Sequence, residues 1–131
     1  MFLAISAQDL RTINLALCEG NKVTRLMSVD ASPEAYLAQI DQLLQRWGIS
    51  LSELNGIMVV TGPGSFTSVR VSVTVANAIA FARNIPIFSL ENPKNLELME
   101  LIRNADLSKS AERKFVFPAY GAPVNISMPK Y

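Results

Sequence analysis

Gly62-Pro63-Gly64-Ser65-Phe66-Thr67-Ser68-Val69-Arg70 joins an apolar run, Gly56 to Val60, to a long segment of small residues. Gly62 and Gly64 admit backbone angles closed to other residues, Pro63 fixes one φ, and Ser65 or Thr67 can cap a helix that follows. The stretch therefore predicts a strand, a tight turn and a helix start. Free N–H groups at such a start, with the helix dipole behind them, can hold an anion. The plainer reading is a strand-to-helix turn with no ligand. No phosphate-binding lysine is present: the spacing G-x-x-x-x-G-K-[ST] is not met, and Thr67 stands where the dinucleotide pattern G-x-G-x-x-G has its third glycine.

Downstream of the turn, Val69, Val71, Val73 and Val75 alternate as in a strand, and the turn itself would suit a hairpin. Ala76-Asn77-Ala78-Ile79-Ala80-Phe81-Ala82 argues instead for helix, as does a ridge of small residues at i+4 spacing, Ser68, Ser72, Ala76 and Ala80. A helix over 65–83 is the expectation, apolar on nearly every side and so buried from two directions, with Arg70, Asn77 and Arg83 as its long polar groups. Upstream, 56–60 is too continuously apolar for an edge strand and reads as a buried interior one.

Further out, 2–7, 12–19 and 23–29 read as three strands of an antiparallel meander. Ser32-Pro33-Glu34 begins a helix that Gly48 stops after Trp47. Its stripe Leu37, Ile40, Leu44 and Trp47 follows the helical period, with Tyr36 and Leu43 widening it beyond what one sheet can cover. A strand is expected over 86–90, then a helix capped at Asn92-Pro93 that carries Leu96, Met99, Leu101 and Ile102, then a strand over 115–117 and an extended tail punctuated by Pro118, Gly121, Pro123 and Pro129. The order βββαβαβα indicates an α/β fold, a mixed sheet with helices on its faces. Two parts are expected, a lobe over 1–117 and the tail over 118–131.

At 131 residues the chain suits a single core. Half of it is hydrophobic and only 18% charged, below the roughly 25% of ordinary soluble domains, which favours either a partner surface or a well-filled core. A net charge of +1 offers no electrostatic footprint for direct nucleic-acid binding. The complete lack of histidine removes the usual zinc site and the Ser-His and Cys-His pairs, and the lone Cys18 excludes an internal disulfide and agrees with a reducing compartment. The N-terminus lacks a basic signal-peptide region and no run is long enough to span a membrane, so a cytoplasmic location is expected.

Val60 to Val71 resembles the GxGPGSFTGLRIG signature of the TsaB (also called YeaZ) family, a bacterial subunit for tRNA threonylcarbamoyladenosine synthesis. Leu3-Ala4-Ile5, the helix ending near Trp47, Ile49-Ser50-Leu51-Ser52-Glu53-Leu54 and Ile85-Pro86-Ile87 also resemble that family's first lobe, so the likeness runs over about residues 1–101. The resemblance implies a single actin-like (ASKHA, RNase H-like) lobe. It departs from the family at Ser6, where an aspartate usually follows Ile5, at Ser68 and Ser72, which replace glycines, and at Asn77-Ala78-Ile79-Ala80, which replaces Lys-Gly-Leu-Ala. Phe117-Pro118-Ala119-Tyr120 resembles a Pro-x-Tyr segment near family C-termini, so the chain is expected to be a shortened form lacking most of the second lobe.

By that resemblance the chain is a non-catalytic scaffold for a TsaD-type large subunit, which would carry ATP and metal, with a TsaE-type ATPase as a further partner and a homodimer when alone. No cofactor is expected on this chain itself. Tyr36, Leu43, Ser68, Ser72, Ala76 and Ala80 are the expected partner interface, and Gly62, Pro63, Gly64, Ser65, Phe66, Thr67 and Arg70 the family motif. Arg70 would pair with a partner acid or a phosphate, or be simply solvated. The rival functions are a degenerate ASKHA module binding some other protein, and a stand-alone ATP-dependent enzyme or peptidase. Ser6 in place of aspartate opposes phosphotransfer, and the lack of histidine to activate Ser65 or Thr67 opposes peptidase chemistry.

Overall fold

The computed structural model describes residues 1–105 and Val116. The elements run β1 (Phe2–Ser6), β2 (Thr12–Glu19), β3 (Lys22–Asp30), α1 (Tyr36–Arg46), β4 (Gly56–Gly62), α2 (Phe66–Arg83), β5 (Ile87–Glu91) and α3 (Leu98–Asn104), with 3-10 turns at Pro33–Ala35 and Leu51–Glu53. This is the expected βββαβαβα order. One five-stranded sheet has the order β3-β2-β1-β4-β5. The first three strands form an antiparallel meander, with Ile5 opposite Leu15 and Leu15 opposite Met27, while β4 lies parallel to β1 and β5 parallel to β4. Parallel neighbours need long crossover connections, and α1 and α2 supply them.

Side chains alternate across a strand, so each strand feeds two cores. Leu3, Ile5, Ile13, Leu15, Leu17, Ile57, Val59 and Ile87 face α1 and α2, which bury Tyr36, Ile40, Leu43, Val69, Val73 and Ala76 against them. Ala4, Ala16, Cys18, Met58, Val60 and Leu90 face the other way, beneath Leu98, Leu101 and Ile102 of α3. All seven residues of β4 are buried, as expected of an interior strand covered on both faces. Asn21, in the β2–β3 hairpin, ties α3 down by donating from Nδ2 to the carbonyls of Ile102 and Ala105 at 2.8 Å each, satisfying acceptors that a helix C-terminus leaves open. Burial pushes the Cys18 thiol up to about 11, which keeps it a neutral core residue.

Several local expectations are corrected. Helix α1 turns Tyr36, Ile40, Leu43 and Leu44 inward, and Leu37, read as part of the inner stripe, is 59% exposed. Ser32 makes no capping bond and leads into the Pro33–Ala35 turn, so α1 itself starts at Tyr36; it ends where expected, with Gly48 at φ +70°. Ser65 precedes α2 without a side-chain cap bond. Helix α2 is not enclosed on two sides among the described residues: Thr67, Arg70, Thr74 and Ala78 are exposed on its outer face. Helix α3 starts at Leu98, several residues later than expected, because Asn92 closes a loop with Leu96 instead of capping a helix.

Of the strand expected over 115–117 only Val116 is described, and it is in no strand. Its backbone N–H donates to Asn77 Oδ1 at 2.9 Å and its carbonyl accepts from Asn77 Nδ2 at 2.8 Å, which seats the buried Val116 against the α1–α2 core. The boundary at 117/118 and the tail over 118–131 lie outside the described residues.

Candidate functional site

The carboxyl ends of parallel strands are where open α/β sheets bind ligands, and here the ends of β1, β4 and β5 bring together Gln8, the Gly62–Ser65 turn and Asn92. Gln8 bridges them. Its backbone carbonyl accepts from Ser65 N–H at 2.8 Å, its Nε2 donates to the Pro63 carbonyl, and its Oε1 accepts from Asn92 Nδ2 at 2.8 Å. Asn92, 2% exposed, completes the knot: its N–H donates to the Gly62 carbonyl at 2.8 Å, and its side chain bonds both the N–H and the carbonyl of Leu96 at 2.8 Å.

The glycines of the motif serve this knot. Gly62 has φ +135°, open to glycine and strained for other residues. Gly64 packs so closely on the β1 loop that a Cβ there would lie 2.7 Å from the Gln8 carbonyl oxygen and 2.9 Å from its Cα. The turn thus makes direct backbone contact with the chain end it faces, and amides of this chain fill the space between the loops.

Beside the knot lies a cleft of about 540 Å³, lined in part by Ser6, Asn14, Ser28, Asn95, Asp9 and Glu97. Its two acids and lack of lysine or arginine give it the wrong sign for a phosphate. Asp9 is committed to its own turn, accepting from the N–H groups of Arg11 and Thr12 at 2.8 Å and from the Thr12 hydroxyl at 3.0 Å. Those bonds, the one from Arg11 N–H foremost, hold its carboxyl below the usual range. Among the described residues no group of three or more His, Cys, Asp and Glu side chains is placed to hold a metal.

The six residues expected to touch a partner are enclosed by this chain itself. Tyr36, Ser68, Ser72 and Ala76 are 0% exposed, Ala80 1% and Leu43 2%. The small-residue ridge lets α2 approach its own α1 and sheet closely, with the Ser68 and Ser72 hydroxyls donating to carbonyls one turn back, those of Ser65 at 3.2 Å and Val69 at 3.0 Å. Desolvation, aided by the Asp9 charge, pushes the Tyr36 phenol up while the Ser68 hydroxyl beside it works the other way. Of the motif residues, Phe66, Thr67 and Arg70 point outward, and the Arg70 guanidinium lies 5.2 Å from the Phe66 ring centroid in a cation–π contact, not over a phosphate site.

The residues that the sequence reading missed are Gln8, Asn92 and Leu37. Gln8 and Asn92 carry no local signal for their roles, since each is defined by a partner 84 positions away. Leu37 with Leu51 leaves a second surface open: a groove of about 560 Å³ between α1, the Leu51–Glu53 turn and α2. The site therefore has two parts, a closed knot at the sheet's carboxyl end and open outer faces on the two helices.

A family model described as TsaD, tRNA N6-adenosine threonylcarbamoyltransferase, matches residues 30–114. The chain is 36% identical over 56 residues to the tRNA threonylcarbamoyladenosine biosynthesis protein TsaB of Haemophilus influenzae, covering 43% of this chain and 24% of that protein. It is 39% identical over 59 residues to the tRNA N6-adenosine threonylcarbamoyltransferase of Syntrophus aciditrophicus, covering 45% and 18%. Among solved structures, YeaZ from Pseudomonas aeruginosa superposes with a TM-score of 0.58 at 26% identity, covering 70% of this chain and 43% of YeaZ. The match thus spans a quarter or less of those curated relatives and under half of the solved one. With the family model matching well over half of its residues and its lobe built as the actin-like lobe of YeaZ is, the chain belongs to the TsaD family and is homologous to its TsaB (YeaZ) members.

Proposed function

We propose that this chain is a non-catalytic scaffold subunit, which binds and supports a TsaD-type transferase in the cytoplasmic modification of tRNA to N6-threonylcarbamoyladenosine. The observation that carries the reading is the contrast within the site. Where a nucleotide-binding relative would need a cavity with cations and a metal-binding carboxylate, Gln8 and Asn92 fill the space, Ser6 ends β1, and the neighbouring cleft is acidic. Exposed large apolar side chains lie mostly on the helices instead, where Leu37 is 59% and Phe81 73% exposed, with Leu10 and Leu26 elsewhere. ATP and metal then reside on the large subunit, a TsaE-type ATPase is a further partner, and contact with tRNA runs through the complex.

The test is light-scattering mass after size exclusion for this chain, alone and mixed with the TsaD-type subunit of the same genome, followed by a threonylcarbamoylation assay on tRNA. A heterocomplex whose activity depends on this chain supports the scaffold. A large subunit that neither binds the chain nor changes rate in its presence overturns it.

A further inference from the structure

Beside the amide knot, the cleft of about 540 Å³ holds polar side chains that the fold does not use. Ser6, Asn14 and Ser28 stand directly opposite one another on β1, β2 and β3, so they form a row across the sheet. Alternation puts the row on the α3 side, since Ala4 and Ala16, two residues away on their strands, lie beneath that helix. Helix α3 begins at Leu98, in the wall of the cleft, and does not cover the row. Ser6 is only 5% exposed, yet neither it nor Asn14 or Ser28 makes a side-chain hydrogen bond among the described residues. A nearly buried hydroxyl that lines a cleft with no partner of its own is available to a ligand. The surroundings are held firmly. Asn92 bonds both backbone groups of Leu96 at 2.8 Å, which fixes the loop carrying Asn95 and Glu97, and Asp9 sits in a turn that its own carboxylate closes.

Charge and spacing narrow the ligand. Asp9 and Glu97 line the cleft, no lysine or arginine does, and neither acid has an ion-pair partner among the described residues. Anions are repelled, and a cation is favoured over a neutral polyol. A hard divalent ion takes about six oxygens, carboxylates prominent among them. Asp9 instead spends its lone pairs on Arg11 and Thr12, and no three acids meet among the described residues. Opposed side chains on one sheet face lie about 5 Å apart, so the row offers Ser6 Oγ, Asn14 Oδ1 and Ser28 Oγ as acceptors over about 10 Å. An aliphatic polyamine matches that step, because amines separated by three or four methylenes repeat at about the same distance. Protonated amines are donors without acceptors, which hydroxyl and amide oxygens satisfy. We propose that the row of Ser6, Asn14 and Ser28, with Asp9 and Glu97, binds a linear aliphatic polyamine of the spermidine class. Its nitrogens donate to the three side-chain oxygens, the carboxylates balance its charge, and its methylenes lie on Leu26 and Leu98 of the cleft. The proposal goes beyond the scaffold reading and does not depend on it.

The test is calorimetric titration of the full chain with spermidine, with the amide NMR spectrum of the labelled protein followed in parallel. Saturable one-to-one binding is expected, moving the signals of Ser6, Asn14, Ser28 and Asn95 and sparing those of α1. Asn14→Leu and Glu97→Gln should each weaken it about tenfold, the worth of a hydrogen bond to a charged group. Asp41→Asn, an acid removed from the far side of the sheet, should leave it unchanged. Circular dichroism checks the fold; Ser28 and Glu97 are exposed, so Ser28→Ala and Glu97→Gln carry the test if Asn14→Leu does not fold. Butylamine, which has the chemistry of a lysine side chain, magnesium and sorbitol are the comparison probes, each expected to bind at least about tenfold more weakly. Butylamine as tight as spermidine gives the site to single ammonium groups and overturns the row. Magnesium or sorbitol as tight as spermidine overturns the amine. No saturable binding of spermidine, or an equal loss in Asp41→Asn, overturns the site itself.

Discussion

The carboxyl end of the sheet and the outer side of α1 differ in what they leave unsatisfied. At the sheet's end, Gln8 and Asn92 use their side-chain amides on Pro63, Leu96 and each other. On the outer side of α1, Leu37 faces solvent, and neither Asp41 nor Glu34 of the preceding turn has a cation partner among the described residues. Side-chain amides already engaged internally gain little from a ligand, because any new hydrogen bond must replace one already made. Exposed apolar area gains from being covered. The comparison teaches that the glycine-rich motif here is a structural junction, while uncovered apolar area is left on the helix side.

The comparison breaks most readily at Gly64. Gly64→Ala puts a Cβ against backbone atoms of Gln8, which cannot swing aside as a side-chain tip would. A loss of about 3 kcal/mol is expected, the upper part of the range for overpacking, read from the urea midpoint. A variant as stable as wild type would show that the junction is looser than its contacts indicate. Asn92→Ala comes next. It leaves the Gln8 Oε1 and both backbone groups of Leu96 without their partner, and about 2 kcal/mol is expected from such buried unsatisfied groups, partly relieved by water. Unchanged stability would mean that the knot is dispensable.

On the other region the expected stability change is small. Leu37→Ser alters the melting free energy by no more than about 0.5 kcal/mol, as for an ordinary surface site, while weakening partner binding. A large destabilisation would show that Leu37 is covered in the folded chain.

The smallest effect is a pH dependence at Asp9. Its folded pKa is depressed, so the stabilisation by its turn is present above the unfolded carboxylate value, about 4, and is lost as pH falls through the lower folded value. The stability gap between wild type and Asp9→Ala should therefore narrow on acidification below about pH 4. A gap constant with pH would sink that account.

Much of the fold was legible because its signals are local. The uninterrupted run before Gly62 can only be an interior strand, Gly48 can take the positive φ that stops α1, and the alanines after Val75 outweigh the valine alternation once a buried sheet face is there to receive the helix. The face of α1 was not legible. Leu37-Ile40-Leu44-Trp47 and Tyr36-Ile40-Leu43-Trp47 are both good helical stripes that share Ile40 and Trp47, and choosing between them requires knowing where α2 lies. The ridge from Ser68 to Ala80 was read correctly as a close-approach surface but assigned to another molecule, when α1 and the sheet of the same chain lie against it. Asn92 before proline looked like a cap because, besides Leu96, its partners Gln8 and Gly62 are far away in sequence.

By itself, then, the sequence determined the element order, the turn at Gly62 to Ser65 and the likeness to one lobe of an actin-like family, since periodicity, turn chemistry and a contiguous motif are properties of neighbours along the chain. Only the tertiary structure decided that the motif closes on Gln8 and Asn92, that the small-residue ridge is spent inside the lobe, and that Leu37 is left outside. Periodicity says which residues share a face, but which face is buried depends on surfaces contributed by distant parts of the chain.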